Sequence, residues 1–557
     1  MKNYPLYEEG VTYSKDFRDL IEIQASRYPS RAAFRFMEDG KDVTVTRLEF
    51  KKAVDSLGTA ICSLGIHREH LAVLGDNCYQ WLLCYFTILA SDNVVVPVDK
   101  ELKFDEIMNV LRHSDSSVVF FTDKYEEEFH RHADELENIK YFICFRPQME
   151  CTGRFLDFRA FCADGQARLE AGDTQYLEIP QVNDELGDIV YTSGTTGIAK
   201  GVMLTRQALL SNVVQAARIT KLYTTCLSVL PYNHTYEASC GILASYNYGC
   251  TICINENLRT VADNLKKYKP DYIMLVPLFA ENFYKKIWKT LEKQGKDKTV
   301  TRAIKMSNNL RKIGIDMRPR LFKQIHEVFG GNLKKIICGG APIRPEIAEF
   351  FDGIGILLVN GYGITECGPL IAVNRDLSNK YESVGVVLPC GEAKIVDPDQ
   401  NGEGEIAYRG DNVMLGYYKN PEATAEVMKD GWFLTGDYGK YEDGFLYITG
   451  RKKNLIVLKN GKNVYPEEIE GYVQSIMELE EVVVRSIKDQ NGDEIGLSAE
   501  IYPSPSFSEG KTKEELEKYF LKACDEVMKD VTSYKKIQKV DIRDTEFPKT
   551  TSRKIKR

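Results

Sequence analysis

Two hydrophobic rhythms alternate along the first part of the chain. Asp16–Arg27 and Leu48–Gly65 space their apolar residues as one face of a helix does, whereas Leu71–Leu74, Asn93–Pro97 and Ser117–Thr122 are short apolar runs that predict buried strands. Trp81–Ala90 is apolar but too short to cross a bilayer, and Ser-Asp-Asn follows it, so it predicts a buried helix. Helix and strand patterns in alternation predict a mostly parallel sheet covered by helices.

The alternation resumes at Asp188. Asp188–Tyr191 and Gly201–Leu204 predict strands, and Thr205 predicts the N-cap of a helix over Arg206–Arg218. Leu227–Pro231, Asp271–Pro277, Ile336–Cys338 and Leu357–Asn360 predict further strands. The last two run into glycine turns, Gly339-Gly340-Ala341-Pro342 and Gly361-Tyr362-Gly363-Ile364-Thr365-Glu366. Strand ends of this kind are where ligands collect in a doubly wound sheet. The segment 284–330 is helical and basic, ordinarily a solvated face and also a surface suited to an anionic cofactor or lipid.

From 383 to 447 the pattern changes to short strands with frequent glycines, which predicts an antiparallel or barrel-like subdomain. Within it, Thr435-Gly436-Asp437 sets a carboxylate beside a tight turn; alone, Asp437 reads as a turn-capping residue. The basic stretch Gly450-Arg451-Lys452-Lys453-Asn454 predicts a hinge, dividing the chain into domains 1–450 and 451–557. The second is a small α+β unit whose first helix begins at Pro466 with acids in its first turn.

The chemistry concentrates between the strands at 188–191 and 201–204. Thr192, Ser193, Gly194, Thr195, Thr196 and Gly197, with Lys200 behind them, combine hydroxyl donors, glycines that admit backbone N–H groups close to an anion, and a mobile cation. That set predicts a loop for nucleotide phosphates rather than a plain polar hairpin, and it is not a Walker A loop, whose Gly-Lys-Ser/Thr spacing is absent.

Composition narrows the partners. At 557 residues the chain exceeds what one core usually supports. A net charge of −8 argues against nucleic acid. The fourteen cysteines are scattered, and Cys250 and Cys253 stand alone as a C-x-x-C pair on a strand that would point them to opposite faces, so reduced core thiols in a cytoplasmic protein are expected. His67, His70, His130 and His132 sit in charged, loop-like contexts and predict no metal site. No signal peptide and no transmembrane segment are expected.

Taken in order, the phosphate loop, Gly339-Gly-Ala-Pro, Gly361-Tyr-Gly-Ile-Thr-Glu366, Thr435-Gly-Asp437, Gly450-Arg451 and Pro548-Lys-Thr-Thr-Ser-Arg-Lys554 resemble the acyl-adenylate-forming superfamily over almost the whole chain. Val276–Ile287 and Gly444–Val457 are most similar to medium- and long-chain fatty acyl-CoA synthetases. The resemblance implies an α/β protein with doubly wound parallel sheets, a distorted β-barrel subdomain over 383–447 and a small mobile α+β C-terminal domain. It implies a ligase that uses ATP, Mg²⁺ and coenzyme A to activate a fatty acid as acyl-AMP and then form a thioester. Thr192, Ser193, Gly194, Thr195, Thr196, Gly197 and Lys200 would hold the β- and γ-phosphates, Thr365 the α-phosphate and Glu366 the metal. Gly340, Ala341, Asn360, Gly361, Tyr362 and Gly363 would frame the nucleotide, with Asp437 and Arg451 on the ribose. Lys554 would be the cation of the first step, Lys453 the pivot of a domain rotation, Gly461 a contact for coenzyme A, and His234 the junction of acyl pocket and thiol tunnel, unless it is a core histidine. Arg553 stands where many members have glycine, and Asn233–Glu237 is unusually polar beside the acyl site. Transfer to an acyl-carrier protein, use of an aryl acid, and a non-catalytic adenylate-binding protein remain open at this point. A fatty substrate is compatible with peripheral membrane contact.

Overall fold

The computed structural model describes residue 4 and residues 6–192, 200–459, 461–490, 492–549 and 555. Helix starts follow local chemistry. Thr46 caps the helix Arg47–Ser63 reciprocally with Glu49, and the Thr205 hydroxyl accepts from the Ala208 N–H at the start of Arg206–Ile219, as expected. Tyr79–Leu89 buries nine consecutive residues from Trp81 to Leu89, in keeping with its uniformly apolar sequence.

Two large sheets organise the body. The first has nine strands, and its six central ones run parallel in the order Leu357–Gly363, Lys335–Cys338, Tyr272–Leu275, Thr225–Ser228, Thr251–Ile254 and Ala32–Glu38. The second has eight strands, with a parallel core built on Val94–Val98, His70–Leu74 and Ser116–Phe121. At one edge of this sheet the hairpin Leu186–Thr192 and Lys200–Thr205 turns antiparallel, and Gly416–Tyr417 adds a final antiparallel strand. The α/β class with parallel sheets is therefore as expected. The barrel-like subdomain takes a different form: its five antiparallel strands, centred on Gly404–Gly410 and Trp432–Glu442, make an open sheet whose described pairings do not close into a ring.

After residue 451 a separate hydrophobic cluster forms around Ile469, Leu479, Leu497, Phe520 and Ile537. It packs the helices Pro466–Val473 and Lys513–Val527 on a three-stranded sheet of Leu479–Lys488, Glu494–Pro503 and Ile537–Ile542. Among the described residues, no helix is long and apolar enough to cross a membrane.

One local expectation is corrected. Gly361-Tyr362-Gly363 is not a turn but the end of the strand Leu357–Gly363, which leaves its parallel neighbour and pairs antiparallel with Leu370–Val373. Glycine there serves close approach, since a Cβ on Gly363 would lie 2.2 Å from the Pro369 carbonyl oxygen. Asp437, which taken alone reads as a turn cap, lies within the strand Trp432–Glu442, where Gly436 takes the left-handed φ of +69° that suits a glycine.

Candidate active site

A cleft of about 3290 Å³ runs between the body and the part of the chain after 451. Its walls include Thr192, Lys200, Gly340, Ala341, Asn360, Gly361, Tyr362, Gly363, Thr365, Glu366, Asp437 and Arg451. His234, Lys453 and Gly461 line it as well. The fold thus brings together every described residue that the sequence singled out. Ser193, Gly194, Thr195, Thr196, Gly197 and Lys554 lie outside the described residues.

The best-defined constellation is built on Asp437. Asp437 and Arg451 are directly opposite on neighbouring antiparallel strands. Arg451 Nε lies 2.7 Å from Asp437 Oδ1, and the Tyr362 hydroxyl donates to Oδ2 at 2.6 Å. The carboxylate is 3% exposed, and these two bonds supply it with donors inside the fold. Tyr362 is itself buried; burial and the adjacent Asp437 push its phenol well above its ordinary value, which keeps it a proton donor. Asn360, three residues from Gly363 on the same strand, is buried with an Oδ1 that has no hydrogen-bond partner among the described residues.

A second group surrounds Glu366, held in the tight turn Thr365–Cys367. Its carbonyl accepts from the Met414 N–H at 2.8 Å, and its carboxylate accepts from the Tyr417 hydroxyl at 2.8 Å. Tyr417 was not singled out from the sequence. Its ring also lies 4.8 Å below Lys200 Nζ, because the strand Gly416–Tyr417 pairs with Met203 and Val202 just downstream of that lysine. The signal was present in Gly416-Tyr417-Tyr418-Lys419-Asn420-Pro421, an aromatic pair before a helix whose N-cap is Asn420. Across the hairpin, Thr192 and Lys200 are opposite each other and so close the two ends of the 193–199 segment.

Further in, His234 precedes a wide π-helical segment, Tyr236–Leu243. The Tyr236 hydroxyl donates to the Ile337 carbonyl at 3.0 Å, fixing this segment to the first sheet. Glu237 is fully buried and accepts from the Ser228 hydroxyl; burial pushes its carboxyl up to about 8. The same cleft is lined by the apolar residues Ile219, Leu222, Leu230, Met274 and Ile337. At the other end, Gly461 (φ +76°) forms the turn between Ile456–Val457 and Asn463–Val464. Lys453 lies in the short turn Lys452–Asn454, next to the Lys452–Glu405 ion pair at 2.7 Å.

Comparison with known proteins accords with this geometry. The chain is 27% identical to the chloroplastic long-chain-fatty-acid–acyl-carrier-protein ligase of Arabidopsis thaliana, over 84% of this chain and 74% of that one. It is also 27% identical to the long-chain-fatty-acid–CoA ligase of Salmonella typhimurium, over 97% and 93% of the two chains. The fold matches a crystal structure of an anthranilate CoA ligase in complex with anthranoyl-AMP, with a TM-score of 0.78 at 18% identity over 98% and 96% of the chains. A model of the AMP-binding enzyme family matches residues 21–418, and the chain belongs to that family.

Proposed function

We propose that this protein is an ATP-dependent fatty-acid–CoA ligase. The observation that carries this reading is that one cleft is lined both by the Asp437–Tyr362–Arg451 cluster with Glu366 and by Ile219, Leu222, Leu230, Met274 and Ile337, apolar side chains suited to an alkyl chain. The relatives' names for fatty-acid ligases support the substrate class.

A carboxylate resists attack because its charge repels nucleophiles and oxide is a poor leaving group. In the first step its oxygen attacks the α-phosphorus of ATP, the bond to pyrophosphate breaks, and a mixed acyl-phosphate anhydride forms. In the second, a thiolate attacks the acyl carbon and AMP departs. Asp437 and Arg451 bind the ribose; Gly340, Ala341 and Tyr362 frame the adenine, and Asn360 Oδ1 accepts from its amino group. Thr365 holds the α-phosphate, and Thr192, Ser193, Gly194, Thr195, Thr196, Gly197 and Lys200 hold the outer phosphates. Lys554 stabilises the charge that develops between carboxylate and α-phosphate. The part of the chain after 451 has its own core, and its rotation about Lys453 would withdraw Lys554 and bring Gly461 to the pantetheine.

Glu366 fits a hard divalent cation by the chemistry of its donors: a carboxylate and the hydroxyl of the neighbouring Thr365, both residues that line the cleft, are hard oxygen ligands. When bound, magnesium neutralises polyphosphate charge.

The test is acid-dependent pyrophosphate release across C2–C18 acids and benzoates, with coenzyme A present or absent. A preference for benzoate rejects the fatty-acid reading, and absence of AMP with every acid rejects the ligase. Transfer to an acyl-carrier protein is the second reading, favoured by the name of the Arabidopsis relative; product formation with a carrier protein but not coenzyme A selects it.

A further inference from the structure

One stretch of the body carries charge opposite in sign to the chain as a whole. Residues 284–330 hold thirteen Lys and Arg against four Asp and Glu, in a protein whose net charge is −8. The helix Asp297–Arg311 shows how that charge is displayed. Val300, Ala303 and Ile304 pack inward on the hydrophobic cluster of the first sheet, and Ser307 on the same side is buried. Helical spacing sets Lys298, Arg302, Lys305 and Asn309 on the opposite side, and all four are exposed. The helix Pro277–Lys293, packed against this one, lines the cleft with Pro277, Leu278 and Phe279 and exposes Lys286, Lys289 and Lys293 along one side.

The outward face continues into apolar residues. Met306 is 52% exposed, and Ile313, which follows Arg302, Met306 and Asn309 at helical spacing, is 71% exposed. Gly314, with φ +84°, then turns the chain, and the N–H groups of Ile313 and Ile315 both donate to the Leu310 carbonyl at 3.1 Å. Ile315 and Leu321 are exposed as well. Braces hold this tip on both sides: Arg311 before it and Arg318 after it bind the Asp352 carboxylate, at 2.8 Å and 3.2 Å. Apolar side chains are thus held out in solvent on a fixed turn among cations. Among the described residues Lys298, Arg302, Lys305, Lys312 and Arg320 make no ion pair, while Asp316, which follows Ile315, is taken up by Arg318 at 2.7 Å.

Apolar residues exposed singly need no partner, whereas a group of them framed by one sign of charge marks a contact surface. A nucleic acid or an acidic protein would engage the cations and leave the isoleucines in water. An anionic bilayer engages both, with phosphates at its surface and hydrocarbon beneath. We propose that the outer side of Asp297–Arg311 and the tip at 312–315 dock on an anionic lipid bilayer. The cations meet headgroups, and Ile313 and Ile315 enter the acyl boundary. This docking does not depend on the ligase reading.

The test is co-sedimentation of the full-length protein with vesicles of phosphatidylcholine alone and of phosphatidylcholine mixed with phosphatidylglycerol. The protein should bind the mixed vesicles, leave them as salt is raised, and ignore the neutral ones. Each cation at an anionic surface changes partitioning roughly fivefold, so Arg302→Gln combined with Lys305→Gln should weaken binding roughly 25-fold. Ile313→Ser should weaken it roughly tenfold, and Ile313→Trp should shift its fluorescence to shorter wavelength only on mixed vesicles. Lys513→Gln combined with Lys518→Gln, exposed on the helix Lys513–Val527, should leave binding within about twofold. All substituted positions are exposed, and matching thermal unfolding midpoints certify the fold. No binding to either vesicle, equal binding to both, or equal losses from the two charge pairs overturns the proposal. Binding lost in the Arg302 and Lys305 variant but unchanged in Ile313→Ser overturns it too, and leaves an electrostatic patch of the kind an acidic protein would use.

Discussion

Replacing Asp437 by Asn tests the nucleotide site most directly. The substitution keeps size and shape but removes the charge from a residue 3% exposed, with Tyr362 at 2.6 Å and Arg451 Nε at 2.7 Å. A carboxylate offers about four acceptor positions, of which Tyr362 and Arg451 each take one, whereas an amide gives up half of them and gains two N–H donors. Asparagine can present its carbonyl to Arg451 only by turning its NH₂ toward Tyr362 and the ribose side. Each charge-assisted bond is worth about 1.5–3 kcal/mol, and exposure of Arg451 on its outer side, 43% by side chain, places its share at the low end. A net loss of about 1.4–2.8 kcal/mol in ATP binding follows, equivalent to roughly 10- to 100-fold. Ribose contacts are made in ground and transition states alike, so KM for ATP should rise while kcat changes little. The assay is pyrophosphate exchange over an ATP titration, repeated with 2′-deoxy- and 3′-deoxy-ATP. Wild type should discriminate against the deoxynucleotides, and Asp437→Asn should narrow that discrimination. A KM for ATP within about twofold of wild type, with the deoxy penalty intact, refutes the ribose assignment.

Other outcomes follow from the same geometry. Glu366→Gln leaves an acceptor for Tyr417 but removes the charge, so a Mg²⁺ titration of the exchange rate should show a requirement raised roughly tenfold, and an unchanged titration rejects the metal assignment. Lys554→Ala should abolish adenylate formation yet leave thioester formation from supplied acyl-AMP; equal losses contradict its role in the first step. Burial pushes the Asp188 carboxyl up to about 7, against a bond from Tyr85 that works in the opposite direction. Between about pH 4 and pH 7 the native protein therefore keeps a proton that the unfolded chain has lost, and stability from this group falls as pH rises, by about 1.4 kcal/mol per pH unit. Asp188→Asn should flatten that slope in thermal unfolding scans; an unaltered slope means that the native carboxyl titrates normally.

The parts legible in the sequence are those written locally. The capping threonines Thr46 and Thr205 and the apolar run Trp81–Leu89 each announce their element through neighbours within a turn or two. The paired strands around 193–199 were legible for the same reason. What could not be read was pairing at a distance. Gly361–Gly363 looks like a turn because glycine lacks the side chains that signal a strand, and its partner Leu370–Val373 lies beyond the Thr365–Cys367 turn. Asp437 and Arg451, fourteen positions apart, were joined only by the resemblance; their local sequence gives no sign that they stand opposite each other on neighbouring strands. Glu481 and Lys549 are ordinary charged residues until the fold buries one against the other. The open form of the third sheet has the same origin: strand propensity and glycine spacing do not specify which edges meet.

Tyr417 gives the nucleotide chamber an internal messenger. Its hydroxyl serves Glu366 while its ring face lies under the Lys200 ammonium, so any shift of the phenol is felt by both. Mutational losses at Lys200 and at Glu366 should then fail to add, with Tyr417→Phe and Tyr417→Leu separating the message carried by the hydroxyl from that carried by the ring.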